Sequence, residues 1–235
     1  MVRAQRFAVS GANRGIGLEL VRQLLARGDR VIAGCRHPGR ALKLTELAAA
    51  HPGHLHIMPL DLDKERSIES FAHEAMMMSD ALDVLINGAG VLVSGERFGE
   101  LGAKTFTDTF HTNVIGPLLL TQALAPALSR GTRPRVINIS SELGSLADTT
   151  GFHTPSYAVS KAALNMVTRL TAAELRPHDI AVISLHPGWV RTDMGGASAP
   201  LAAAESVAGM LRVIDALAPS DGGRFLDWRG EALDW

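Results

Sequence analysis

Phe7-Ala8-Val9-Ser10-Gly11-Ala12-Asn13-Arg14-Gly15-Ile16-Gly17 carries a short apolar run through three closely spaced glycines into an amphipathic helix marked by Leu18, Val21, Leu24 and Leu25, which Gly28 ends. The order is strand, tight turn, helix start. Glycines at this spacing permit a sharp reversal and let a ligand's phosphates approach the backbone, where helix N-terminal amides and the macrodipole favour anions. Arg14 adds positive charge at the same place. A plain glycine-rich turn is the simpler alternative, but a turn set between a first strand and a helix points to a dinucleotide site. Ser10, Gly11, Asn13, Arg14, Gly15, Ile16 and Gly17 are its expected lining.

Outward from this stretch the alternation repeats. Apolar runs at 30–35, 55–60, 84–86, 136–139, 180–185 and 224–226 alternate with helical patterns at about 64–79, 104–128, 155–176 and 203–216. No linker, low-complexity segment or internal repeat interrupts them. This predicts an α/β fold: a single Rossmann-type doubly wound parallel sheet of about seven strands with helices on both faces, one domain over 1–235. Met76-Met77-Met78 reads as core and helix filler. Gly195 to Pro200 reads as a mobile lid, and the tail from Leu226 to Trp235 as a segment that folds over the substrate mouth or packs on a partner.

A chain of 235 residues, 46% apolar, buries a substantial core. Its net charge of −1, without a long basic run, lacks the footprint of a nucleic-acid binder and points to a small-molecule ligand. Cys35 stands alone, which precludes an internal disulfide and fits a reducing cytosol, so a cytoplasmic location is expected. The charged start reaches glycine before a long apolar stretch forms, so neither a signal peptide nor a membrane span is expected. His51, His54 and His56 are interrupted by Pro52-Gly53 and fit no compact metal site.

The second strand should end beside an adenosine ribose, where a carboxylate would bind the hydroxyls and repel a 2′-phosphate. Here stand Cys35, Arg36 and His37, with Arg40 shortly after. Arg14 and Arg36 can clamp a 2′-phosphate, so NADP(H) is preferred, with NAD(H) the alternative. Asp61, followed by Leu62, ends the third strand and either accepts from an adenine amino group or caps a turn. Asn87-Gly88-Ala89-Gly90 lets the chain pass beneath a bound cofactor, and Asn87 can tie this turn to a neighbouring strand. Asn113 sits amid apolar residues: either it pins its helix, or its carbonyl, freed by a kink near Pro117, holds a water. Pro187 and Gly188 break the next strand at its carboxyl end, with Val190 and Thr192 beyond.

Tyr157 and Lys161 are four residues apart, so a helix beginning near Pro155 stacks them on one face. A free phenol, with a pKa near ~10, is a poor proton donor at neutral pH until a cation such as Lys161 stabilises the phenolate. Ser141, at the end of the strand Val136 to Ile139, can meet the phenol across a cleft and bind a carbonyl oxygen. An exposed helix face is the bland alternative for a Tyr and a Lys at this spacing.

In order and spacing, the glycine turn, Asn87 to Gly90, Asn113, Ser141, Tyr157-x3-Lys161 and Pro187-Gly188 resemble the short-chain dehydrogenase/reductase family over nearly the whole chain. The stretches 140–145 and 186–196, with the Trp-ending tail, are most similar to its C-factor and Sniffer carbonyl reductase branch. The resemblance implies that NADPH reduces a carbonyl to an alcohol, with Tyr157 as general acid and Lys161 lowering its pKa and binding the nicotinamide ribose. It further implies that Ser141 positions the carbonyl, Asn113 holds a water relaying protons to Lys161, Asp61 contacts adenine, and Thr192 holds the nicotinamide end. Ser140 rivals Ser141, whose distance to Gly144 fits the family pattern. A non-catalytic NADP(H)-binding signalling or redox-sensing protein is the alternative. Leu143, Phe152, His153, Trp189 and Met194 are candidate substrate contacts, suiting a partly apolar carbonyl compound. Two departures stand out: Gly88 replaces the family's usual Asn, which should loosen the turn, and a longer gap before Tyr157 makes the 146–154 loop reshape the pocket. Family members pair through the helices at 104–128 and 155–176, implying a homodimer or homotetramer.

Overall fold

Successive residues of a strand point to opposite faces, and here both faces are covered. Phe7 and Val9 of β1 (Arg6–Ser10) pack on one side against Leu20, Val21 and Leu24 of α1 (Gly15–Ala26), Leu44 of α2 (Leu42–Ala50) and Val207, Met210 and Ile214 of α7 (Ala203–Ala216). Ala8 faces the other way. It joins Ile68 and Phe71 of α3 (Glu65–Met78), Leu120 and Leu124 of α5 (Gly116–Leu128), and Ala172 and Leu175 of α6 (Pro155–Leu175). A fully buried Leu or Phe contributes about 1.5–3 kcal/mol, so two such layers explain why the apolar runs are continuous rather than alternating.

The computed structural model describes residues 4–235; residues 1–3, part of the charged start from which no signal peptide was expected, lie outside them. With β2 (Arg30–Cys35), β3 (Leu55–Pro59), β4 (Val84–Asn87), β5 (Arg135–Ile139), β6 (Ala181–His186) and β7 (Phe225–Asp227), β1 forms one parallel sheet of order β3-β2-β1-β4-β5-β6-β7. The chain winds outward through β2 and β3, then returns to lay β4 on the other side of β1. That reversal opens a crevice at the carboxyl ends of β1 and β4. Among the described residues no helix is long and apolar enough to cross a membrane.

Four expectations change in detail. The helix predicted over 104–128 is α4 (Ala103–Phe110), a widened π-type turn His111–Ile115, and α5. Pro117 has no N–H for the carbonyl of Asn113, and Gly116 N instead reaches back five residues to His111 O. Of the methionine triplet only Met76 packs on the core; Met77 and Met78 are exposed. The 195–200 segment is anchored at its far end, where Ala199 is buried and Arg191 N donates to Leu201 O at 2.9 Å. The tail does not line the cavity: Leu233 N donates to Phe225 O (2.9 Å), Trp235 stacks on Phe225, and Ala147 N donates to Trp235 O (3.1 Å). It thereby pairs with the edge strand β7.

Candidate active site

The crevice is a cavity of about 890 Å³ that runs from Arg36 and Arg40 past the glycine turn to Ser141, Tyr157 and Lys161. All of the expected glycine-turn residues line it, together with Gly88, Ala89, Gly90, Pro187, Gly188, Val190 and Thr192. Gly11, at φ +69°, lies so near the β4 turn that a Cβ on it would stand 2.6 Å from Ala89 Cα. Ser10 Oγ accepts from Gly88 N (3.1 Å) and Ala89 N (3.3 Å), locking the two turns together. The turn is therefore not loosened by Gly88, where a Cβ would sit 2.9 Å from Ser10 O.

Asn87 does not line the cavity and instead ties its turn to the neighbouring strand. Its side chain is buried away from the cavity, donating to Asn138 Oδ1 (2.8 Å) and Thr121 Oγ1 (3.1 Å). Asn138 in turn donates to Thr168 Oγ1 (2.9 Å), which also takes the Ser184 hydroxyl (2.9 Å). One polar thread thus joins β4, β5, β6 and α6 beneath the site.

At the far end Cys35, Arg36, His37, Arg40, Asp61 and Leu62 line the cavity. Burial pushes the Cys35 thiol up, so it stays protonated. Burial alone would raise the Asp61 carboxyl too, but Lys64 (3.0 Å), the Asp63 amide and Arg36 hold it below the usual range. Arg14, Arg36 and Arg40 give this end an excess of cationic side chains over Asp61 and Asp63.

At the near end α6 begins with Pro155 after Thr154, a left-handed residue at φ +40° whose side chain makes no cap bond. The cap comes instead from Glu96, sixty residues upstream, whose Oε2 accepts from Ser156 N (3.2 Å) and Ser156 Oγ (2.8 Å). Glu96→Ala is expected to lower stability by about 1 kcal/mol, the cost of a lost helix cap. Glu96→Gln should retain most of it; thermal unfolding of both variants checks this, and equal melting temperatures would show that the carboxylate caps nothing.

One turn into the helix, Tyr157 and Lys161 are both buried, with the Lys161 Nζ 5.5 Å from the phenol ring centroid and 2.7 Å from Ile139 O. The Tyr157 pKa is not lowered as the sequence reading had it. Burial pushes it up to about 12, with only the Ser141 hydroxyl pulling the other way. Burial also brings Lys161 down to about 8. The site therefore presents a firmly protonated phenol beside an ammonium that titrates near neutrality.

Ser141 accepts from Leu143 N (3.2 Å) at the start of the turn Glu142–Gly144. Its rival Ser140 is committed elsewhere, donating to Asn165 Oδ1 at 2.7 Å. Asn113 does not line the cavity. Its side chain accepts from Val91 N (2.8 Å) and donates to Val91 O (2.9 Å) and Ser160 Oγ (3.0 Å), pinning the widened turn to α6 and to the segment after β4.

Leu143, Trp189 and Met194 line the cavity as expected; Phe152 and His153 do not. Phe152 packs edge-on against Phe98 (5.5 Å between centroids), and the His153 ring lies over Gly151. Val91, Leu92, Ser94, Glu142 and His186 line it instead. The apolar run Val91-Leu92-Val93, lying past a strand end, was the available signal for the first two.

A family model described as short chain dehydrogenase matches residues 5–201. The chain is 46% identical over 154 residues to the C-signal protein of Myxococcus xanthus, covering 66% of this chain and 93% of that one. Among solved structures, the NADPH-bound carbonyl reductase from chicken fatty liver superposes with a TM-score of 0.94 at 39% identity, covering all of both chains. The Sniffer carbonyl reductase of Drosophila melanogaster superposes with a TM-score of 0.95 at 32% identity, covering 99% of this chain and 100% of that one.

Proposed function

The chain belongs to the short-chain dehydrogenase family, and from that premise we propose that it is an NADPH-dependent oxidoreductase reducing an aldehyde or ketone to an alcohol. The observation that carries this reading is the convergence of Ser141, Tyr157 and Lys161 at one end of a cavity whose other end holds Arg14, Arg36 and Arg40. The residues present fit a dinucleotide: the glycine turn folds tightly, since a Cβ at Gly11 or Gly17 would strike Ala89 or the Gly11 carbonyl, and so lays its backbone along the cavity, and the arginines suit a 2′-phosphate. The NADPH bound to the chicken relative supports the same choice.

When bound, NADPH supplies the hydride to the carbonyl carbon. Ser141 orients the carbonyl oxygen. Tyr157, holding its proton at neutral pH, gives it to the developing alkoxide, which is a stronger base than even a phenolate of pKa about 12. The Lys161 ammonium stabilises the phenolate left behind and holds the nicotinamide ribose. Asn113 sets the π-type turn behind them, and its carbonyl, deprived of a donor by Pro117, holds the water that relays a proton to Lys161. Asp61 contacts adenine, and Thr192 the nicotinamide end. We place this activity in 1–235 as one domain, in the cytoplasm, in a homodimer or homotetramer pairing through α4–α5 and α6. The exposed Leu118, Met166 and Leu170 on those helices support the pairing.

Screening purified protein for NADPH oxidation with aldehydes, ketones and quinones tests the reading. Similarity to C-signal favours one other reading, a non-catalytic NADP(H)-binding signalling or redox-sensing protein; NADPH binding with no turnover across the panel would favour it. The pH profile adds a second check. Lys161 is cationic below about 8 and loses its charge above it, whereas Tyr157 stays protonated to about 12. The kcat/KM for NADPH, which reports ionisations of the free enzyme, should therefore fall as pH rises through about 8. A profile that stays level into the alkaline range would remove the ammonium from the scheme.

A further inference from the structure

His186 ends β6 and lines the same cavity as Ser141, Tyr157 and Lys161, yet the chemistry above makes no use of it. Its ring is buried and directed at one residue. Nδ1 lies 3.3 Å from the Glu142 backbone N–H, which donates to it, and Nε2 lies 3.6 Å from the Glu142 carboxylate. For Nδ1 to accept, the imidazole must be neutral and carry its proton on Nε2, the nitrogen that faces the carboxylate. Glu142 opens the turn that Ser141 caps, and that turn rests directly on α6: a Cβ on Gly144 would stand 2.7 Å from the Lys161 carbonyl carbon. There is no slack between the imidazole, the turn and the helix that carries the phenol.

We propose that neutral His186 is a positioning residue that holds the turn Glu142–Gly144, and through it the Ser141 hydroxyl, in place against the cavity, and that protonation of the ring releases the turn. An Nδ1–H set against the Glu142 N–H places two donors face to face, so the turn cannot stay where it is. The inference rests on the carbonyl-reductase reading for its effect on turnover, but the coupling of ring to turn is a property of the protein alone.

The charged and titratable groups around the ring are Glu142 from the turn, Asp227 from β7, which is its register partner, and Tyr157 and Lys161 from α6 on the same cavity. Asp227 is itself engaged by Arg229 Nε (2.9 Å) and by the amides of Arg229 (2.8 Å) and Glu231 (2.9 Å). Burial lowers the imidazole from its ordinary value, and the two carboxylates oppose that without reversing it. The ring is accordingly neutral at physiological pH, and the turn is released only on the acid side.

Two variants and two readouts decide the matter. His186→Asn places a non-titrating acceptor, Oδ1, where Nδ1 stands; His186→Phe removes the acceptor. Followed by NMR over about pH 5 to 8, the Glu142 amide resonance of the intact wild-type chain should titrate with a midpoint below that of a free histidine, and should not titrate in His186→Asn. In NADPH-dependent carbonyl turnover, kcat/KM for the carbonyl should fall on the acid side in the wild type and lose that limb in His186→Asn. His186→Phe should lose about tenfold in kcat/KM at neutral pH, the scale of a broken buried hydrogen bond, and His186→Asn should recover most of that loss. A Glu142 amide indifferent to pH, or one that titrates alike in wild type and His186→Asn, overturns the inference. A wild type whose amide titrates as stated but which reduces no carbonyl sinks the enzymatic reading and upholds the coupling of ring to turn.

Discussion

Tyr157→Phe is expected to lower carbonyl-dependent NADPH oxidation by about 10²- to 10⁴-fold, the range that a positioned general acid contributes, while NADPH affinity changes little. Phenylalanine fills the same volume, and the hydroxyl it lacks is the only group of that ring able to deliver a proton. Lys161 is a poor substitute for it, because its amine is held on the Ile139 carbonyl at 2.7 Å, 5.5 Å from the ring centroid. Steady-state rates together with calorimetric NADPH binding separate the chemical loss from a binding loss. Turnover within twofold of wild type would sink the assignment. Tyr157 is also the only tyrosine of the chain, so an alkaline ultraviolet titration reads this phenol alone. It should show no tyrosinate until the pH nears about 12.

Arg36→Asp is expected to reduce the ratio of kcat/KM for NADPH to that for NADH by about 10²-fold. A charge-assisted hydrogen bond to a phosphate is worth about 1.5–3 kcal/mol, and each 1.4 kcal/mol is about a factor of ten. The new carboxylate adds repulsion of the 2′-phosphate and acceptance from the ribose hydroxyls of NADH. Arg14 and Arg40 line the same end of the cavity and retain part of the preference, which is why the ratio should shift rather than invert completely. Measuring both nucleotides on wild type and variant checks this; an unaltered ratio would show that Arg36 does not read the phosphate.

What could be read from the sequence was whatever depends on local pattern. The strands were legible because a sheet covered on both faces demands uninterrupted apolar runs, and the glycine turn because few other residues tolerate φ +69° at Gly11 with a neighbouring backbone so close. Tyr157 and Lys161 share a face because helical spacing dictates it. The features that escaped depend on distance along the chain or on depth. Burial, not sequence neighbours, sets the Tyr157 and Lys161 pKa values. Glu96 reaches Ser156 across sixty residues without a periodic signal. Phe152 and His153 sit in a loop, where no period fixes side-chain direction, and Phe152 finds Phe98 rather than the cavity. The widened turn at Asn113 was half visible: Pro117, four residues on, announces a carbonyl without its usual donor, but no local pattern chooses between a kink and an enlarged turn.

The thread from Asn87 through Asn138 to Thr168 and Ser184 gives the reacting groups a reference from underneath. Greasy layers can creep past one another, whereas directional bonds between fixed atoms hold a helix to one notch of the sheet. The part of the ceiling built from the stretches around residues 92–94 and 189–195 carries no bond of that thread. Such a scaffold can exchange its roof for one shaped to a different guest and leave the machinery on its floor in alignment.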